Sequence, residues 1–133
     1  MPSYKLYYFD GHGLEMPFEK MPVLEEDGKQ LPQSFAIARY LARKFGYAGK
    51  NAWEEAWVDA LGDQYKDYWC ENVPFFAAFT GIRPGNVEQL EKDIAVPARA
   101  RLFGLLEQRL SDSTSGFLVG DSLTWIDLVI ADH

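Results

Sequence analysis

The chain has 133 residues, 47% of them hydrophobic and 15% aromatic, with a formal net charge of −7 and a single cysteine, Cys70. That length and apolar content suit about one domain with a real core and exclude a disordered tail; the negative charge argues against a nucleic-acid binder. One cysteine excludes an internal disulfide and a Cys-x-x-Cys redox pair, and the lack of a signal-like or membrane-length apolar run points to a cytoplasmic protein.

In chain order, "YKLYYF" (4–9) is rich in strand formers and ends at the turn residues "DGHG". Strands are expected at Val23–Glu25 and Lys29–Leu31, with Asp27-Gly28 between them as a hairpin turn, since Gly tolerates positive φ. Ser34 is placed to cap a helix that runs to Phe45 and stops at Gly46. Ile37, Ala38, Leu41 and Phe45 give that helix its apolar face, while Arg39, Arg43 and Lys44 are expected in solvent near its C-terminal end. After a short linker the texture turns helical. Trp53, Trp57, Leu61 and Tyr65 recur every four residues, which predicts one apolar stripe on a helix persisting towards Val73-Pro74. "TGIRPGN" reads as a loop and Val87–Leu110 as a helix kinked at Pro97. "SDSTSG" is a loop, "FLVG" a short extended segment, and "DSLTWIDLVIAD" opens a last helix. There, Thr124 and Asp127 form a capping box, with Leu123 and Leu128 as its hydrophobic staple. The fold class is therefore α/β followed by all-α. The N-terminal part has little to cover its sheet and the last helix little to pack upon, so the sequence reads as cut.

Several groups could carry chemistry. A helix start at Gln33-Ser34 offers unpaired N–H groups and partial positive charge, a seat for a carboxylate or phosphate, with Ser34 either a plain cap or a donor to such a ligand. Met21-Pro22 opens a strand; a cis bond there would turn the Met21 backbone outward towards a ligand's peptide. Tyr7 and Tyr8 fall on opposite faces of the first strand, one in the core and the other facing a cleft, where it is either structural, the reading local evidence favours, or a phenol donor to a thiolate that favours the charged form. Asp59, Asp63 and Asp67 share one helical face, either as a solvated stripe or as a site for a cation or ammonium group. His12 and His133 have no partners at metal-ligand spacing, so no metal is expected, nor does any Ser stand in a hydrolase elbow.

The segments "YKLYYFDGHG", "MPVLEEDGKQLPQSFAIARYLARKFGYAGK", "VDALGDQYKDY" and "FLVGDSLTWIDL" together resemble the cytosolic glutathione transferases, most closely the sigma class that includes the haematopoietic-type prostaglandin D synthases. The resemblance implies a thioredoxin-like glutathione-binding domain over 1–46, lacking its first helix and second strand. A linker over 47–52 and a helical C-terminal domain over 53–133, truncated, would follow. It implies that Tyr8 stabilises the glutathione thiolate and that the Met21 backbone, before Pro22, pairs with the cysteinyl part. Lys20 would stand near the glycyl end, Gln33 and Ser34 would hold the γ-glutamyl carboxylate, and Asp67 would reach the γ-glutamyl amino group from the partner subunit of a homodimer. Glutathione is then the co-substrate, joined to small electrophiles in detoxification or used to isomerise a prostaglandin endoperoxide. Phe75, Phe76 and Phe79 are either lining of the electrophile pocket or core. Departures from the pattern include roughly thirty missing residues after the first strand, which would normally supply a Trp and a Lys for the glycyl carboxylate. His12, Gly13 and Leu14 stand where an Arg-Gly sequence is usual, and Glu19 replaces a Gly. The alternatives are a non-catalytic carrier of glutathione and apolar ligands, or an inactive truncated product. Losing the first helix would leave a sheet face bare and favour aggregation or dimer swapping.

Overall fold

The computed structural model describes residues 2–8, 17 and 20–132. The chain divides into two compact units, 1–48 and 49–133.

In the first unit, β1 (Tyr4–Tyr7), β2 (Val23–Glu26) and β3 (Lys29–Pro32) form an antiparallel sheet in the order β1-β2-β3. The β2–β3 turn has Asp27 at φ 49° and Gly28 at φ 81°. Two consecutive positive φ values give the turn whose twist matches that of the strands, which is what Asp-Gly supplies. Asp27 also ties the turn to the start of β1, its N–H donating to the Ser3 carbonyl (3.2 Å) while its carboxylate accepts from the Ser3 N–H (2.9 Å). β1 ends at Tyr7, two residues short of the expected strand; Phe9 lies outside the described residues.

Alternation places Tyr4, Leu6, Leu24, Glu26 and Leu31 on one face, against which α1 (Ser34–Phe45) packs through Ile37 and Ala42. Gly46 ends α1 in the left-handed conformation (φ 82°), as expected. Lys44 is exposed, as expected, and there pairs with Glu26, which also accepts the Tyr40 phenol; its ammonium lies over the Tyr4 and Tyr40 rings at 5.2 and 5.5 Å. The Lys44 ammonium and the Tyr40 phenol hold the Glu26 carboxyl below the usual range, and Glu26 in turn raises Lys44. Phe45, read as core, is instead exposed and meets Tyr4 edge-on at 6.1 Å. The sheet stays thinly covered at β1, where Leu6 is 63% exposed.

In the second unit, α2 (Ala52–Phe79) is capped by Asn51, whose side chain accepts the N–H groups of Trp53 and Glu54. Its buried face runs through Val58, Leu61, Gly62, Tyr65, Tyr68 and Asn72. The expected tryptophan stripe therefore splits: Leu61 and Tyr65 are core, whereas Trp53 is 73% exposed and Trp57 is sheltered by the Arg109 guanidinium, 4.3 Å above its ring. A strict four-residue spacing drifts off a 3.6-residue turn, which explains the split. α2 also runs through Pro74 to Phe79 instead of ending there.

α3 (Val87–Leu90) continues through a π turn, Glu91–Ala95, into α4 (Val96–Asp112). The irregularity expected at Pro97 is this wide turn, which accommodates a residue with no N–H and a bulky ring. "FLVG" is a run of bends, not an extended segment, with Leu118 and Val119 buried. It takes that path because the Asp127 carboxylate accepts the Leu118 N–H (3.0 Å) and Arg109 donates to the Leu118 carbonyl (3.2 Å). The other Asp127 oxygen accepts the Thr124 N–H (2.8 Å) and hydroxyl (2.6 Å), closing the capping box of α5 (Trp125–Ala131). Leu123 and Leu128, the expected staple, both stay exposed. Because Asp127 serves a loop N–H as well as the cap, Asp127→Ala is expected to cost about 2–3 kcal/mol, above the usual cost of a lost cap near 1 kcal/mol, measured as the shift in a urea midpoint. No helix among the described residues is long and apolar enough to cross a membrane.

Candidate functional site

The sheet register assembles the site. Tyr7 lies opposite Val23, and Val23 opposite Pro32, so the C-terminal end of β1, the start of β2 and the end of β3 form one row. The next residue outward from each is Tyr8, Pro22 and Gln33. Lys20 and Met21 lead into β2, and Ser34 enters α1 directly from β3. Six of the seven residues singled out from the sequence thus converge at one end of a three-stranded sheet.

Of the two tyrosines, Tyr7 is the structural one. It is half-buried, and its hydroxyl donates to Glu25 Oε2 at 3.1 Å, while Lys5 stands 3.5 Å from the other Glu25 oxygen. The Tyr7 hydrogen bond, with Gln30 and Lys5 adding to it, holds the Glu25 carboxyl below its usual range. Tyr8, the residue after the strand, is 56% exposed. The Met21–Pro22 peptide bond is cis; both residues are half-buried and Lys20 is exposed.

Gln33 carries the least expected feature. Its φ is 77° and its ψ 115°, a conformation that L residues rarely adopt. Residues held off their preferred backbone cluster at ligand-binding sites, where the surrounding structure over-determines them. Nothing in a glutamine announces this, so sequence reasoning named the residue without its strain. Gln33 also corrects the helix start. Its carbonyl accepts the Ile37 N–H at 2.9 Å, which makes Gln33 the cap position and Ser34 the first helical residue. The Gln33 side chain makes no capping hydrogen bond, and Ser34 is exposed at the first turn. The α1 N-terminus, the positive end of its dipole, follows directly from the end of β3, in the row that Tyr7 and Val23 begin.

Asp67 belongs to the second unit, exposed on α2 in line with Asp63 and the half-buried Asp59. Among the described residues no group of three His, Cys, Asp or Glu side chains is arranged to hold a metal. His12 and His133, with Gly13, Leu14 and Glu19, lie outside the described residues. A cavity of about 360 Å³ in the first unit, lined by Leu24, Asp27, Lys29, Leu31 and Tyr40, borders the β2–β3 turn at the far end of the sheet and contains none of the six residues.

The glutathione S-transferase N-terminal domain family matches residues 11–43 and the glutathione S-transferase C-terminal domain family residues 71–133. Probable glutathione S-transferase 5 of Caenorhabditis elegans is 48% identical over 165 positions that take in all of this chain and 80% of that protein. The chain belongs to the glutathione S-transferase family. Its fold is accordingly the family's thioredoxin-like N-terminal domain, here with a small sheet, followed by the helical C-terminal domain. Probable glutathione S-transferase 9 of Caenorhabditis elegans is 57% identical over 117 residues, 88% of this chain, and the match spans only 57% of that protein's length. Against the 165 positions of the longer alignment the chain has 133 residues, so 32 positions of the relative meet none of its own. Among solved structures, a nematode-specific glutathione S-transferase of C. elegans superposes with a TM-score of 0.92 at 47% identity, covering all of this chain and 80% of that one. A Nu-class enzyme from Haemonchus contortus gives 0.82 at 55% identity, over 91% and 59%. A prostaglandin synthase D of Nilaparvata lugens gives 0.74 at 31%, over 87% and 56%.

Proposed function

We propose that this glutathione S-transferase binds glutathione at the Tyr8–Pro22–Gln33 end of its sheet and conjugates the thiolate to small electrophiles, with no metal taking part. The observation that carries this reading is the register, which brings a phenol, a strand-start backbone and a helix N-terminus to one place. Each of the three suits a different part of a γ-glutamyl tripeptide. Tyr8 donates its hydroxyl to the sulfur, which favours thiolate over thiol and supplies the nucleophile at neutral pH. Met21, ahead of Pro22, pairs its backbone with the cysteinyl peptide, and Lys20 faces the glycyl carboxylate. Gln33 and Ser34 receive the γ-glutamyl carboxylate at the α1 N-terminus, where dipole and N–H groups favour an anion. Asp67 of the partner subunit meets the γ-glutamyl ammonium in a homodimer. The protein acts in the cytoplasm, in detoxification.

A sigma-class assignment and isomerisation of a prostaglandin endoperoxide form the second reading. They rest on the motif segments that resemble that class and on the similarity to the Nilaparvata lugens prostaglandin synthase D, whose 31% identity is lower than the 55% of the Nu-class protein.

Retention on immobilised glutathione, followed by turnover of a chloronitrobenzene, tests the first reading. Retention with turnover supports it. Retention without turnover makes the protein a carrier, and no retention by a folded, monodisperse sample removes the site. Incubation with the endoperoxide and identification of the product decides the second.

A further inference from the structure

One carboxylate is tied to all three strands of the small sheet. The register puts Lys5, Glu25 and Gln30 in one cross-strand row, and Tyr7, Val23 and Pro32 in the next row on the same face. Glu25 stands in the middle of its row. It accepts the Tyr7 hydroxyl at 3.1 Å across the diagonal, lies 3.5 Å from the Lys5 ammonium, and takes a further hydrogen bond from the Gln30 side chain. Lys5 and Tyr7 belong to β1 and Gln30 to β3, so this half-buried residue of β2 fastens both neighbouring strands. Together these contacts hold the Glu25 carboxyl below its usual range, and it stays an ionised acceptor at any pH where a thiolate forms.

The Tyr7 bond lies where β1 is about to leave the sheet. That strand has four residues, and Tyr7–Val23 is its last pair, directly before Tyr8. The Ser3 carbonyl accepts the Asp27 N–H, so Ser3 turns its peptide groups towards β2. Alternation turns those of Lys5 and Tyr7 the same way and those of Tyr8 away from β2. Strand ends are the first part of a ladder to open. The distance from Tyr8 to the Met21–Pro22 backbone thus depends on how firmly Tyr7 is held, and its side chain holds it a second time.

We propose that Glu25 is a positioning residue for the glutathione site: through the Tyr7 hydroxyl it fixes the end of β1, and with it the place from which Tyr8 donates to the thiolate. This rests on the proposed role of Tyr8. Glu25 itself touches no reacting atom. A hydrogen bond weakens steeply as its donor drifts or tilts, and a misplacement of about 1 Å near the reacting atoms costs up to about 100-fold in rate. A loosened Tyr8 donates a weaker bond, so the thiol of bound glutathione ionises at higher pH.

Titrating the ultraviolet absorbance of the bound thiolate against pH tests this directly. Tyr7→Phe removes one oxygen and is expected to raise the midpoint by about 0.5 pH units, roughly a threefold loss of rate at neutral pH. Its melting temperature and its retention on immobilised glutathione should hold. Glu25→Ala should move the midpoint at least as far, and the double variant no further than Glu25→Ala alone, because Tyr7 acts through Glu25. Glu25→Gln keeps an acceptor for the phenol and should restore most of the wild-type midpoint. Tyr7→Phe decides the outcome even where Glu25→Ala folds poorly. Tyr8→Phe, titrated alongside, separates two failures. A midpoint moved by Tyr8→Phe but not by Tyr7→Phe overturns the positioning role and leaves Tyr8 as the thiolate partner; a midpoint that Tyr8→Phe does not move overturns both. A lowered melting temperature with an unmoved midpoint would make the Tyr7–Glu25 bond a prop of the sheet alone, which also overturns the proposal.

Discussion

Tyr8→Phe is expected to lower kcat/KM for a chloronitrobenzene by about 100-fold, comparable to the loss of one preorganised donor to a developing anion. The change removes one oxygen from a residue 56% exposed, so the melting temperature should hold and glutathione should still be retained. What moves is the proton. Without the phenol the bound thiol loses a hydrogen bond to its charged form, and the alkaline-rising limb of the pH–rate profile shifts up by about 1–2 units. Assayed well above that limb, the variant regains much of its rate, because hydroxide then supplies the thiolate. A variant that keeps its full rate at neutral pH would show that Tyr8 is not the thiolate partner. Ser34→Ala should behave in the opposite sense, weakening glutathione retention while leaving the limb in place.

Gly62→Ala carries the largest expected effect on stability. On an exposed helix face the exchange would stabilise by about 1 kcal/mol through helix propensity. Here a Cβ would sit 2.4 Å from Trp125 Cη2 and 2.8 Å from Cζ2, and the ring it meets is itself only 5% exposed. Trp125 is the first residue of α5, fixed behind the Thr124–Asp127 cap, so the ring has little room to swing aside. Overpacking of this kind costs about 1–3 kcal/mol, which outweighs the propensity gain. The melting temperature is therefore expected to fall by several degrees, and Gly62→Val should do worse. Trp125→Phe removes the atoms in conflict, so the two substitutions together should cost less than their sum. A double-mutant cycle reads that coupling, and strict additivity would show that the helices part elsewhere.

What was legible in the sequence followed from local chemistry. Asp27-Gly28 fixed the hairpin because only such a pair takes two positive φ values cheaply, and Gly46 fixed the end of α1 for the same reason. The capping box at Thr124 was readable because its two partners stand three residues apart. The site residues could be named, but their meeting could not be deduced, since it depends on the pairing of Tyr7 with Val23 across a connection whose length sets no register. Apolar periodicity proved a weaker guide. Phe45, Trp53 and Trp57 look like core by spacing alone, yet they lie where α1 and α2 turn away from their neighbours. Lys44 is exposed as read, but its pairing with Glu26 and Tyr4 was not legible, because those partners are distant in sequence. The strain at Gln33 was invisible, as backbone conformation at a residue without a marked preference is imposed from outside.

The row Tyr7–Val23–Pro32 also bears on how such a protein can vary in length. The β2–β3 turn is two residues and β3 passes into α1 at a single cap residue, so neither junction can lengthen without rotating the helix start away from the strand ends. β1 and β2 are each held in place by their own pairing, and a longer flexible connection between Tyr8 and Lys20 would cost only about 0.6 kcal/mol more per doubling of its length. Additional residues at that point would leave all three strand ends where they are. Insertion and loss of chain are thus directed to one segment of this unit, while the positions facing the ligand keep their places.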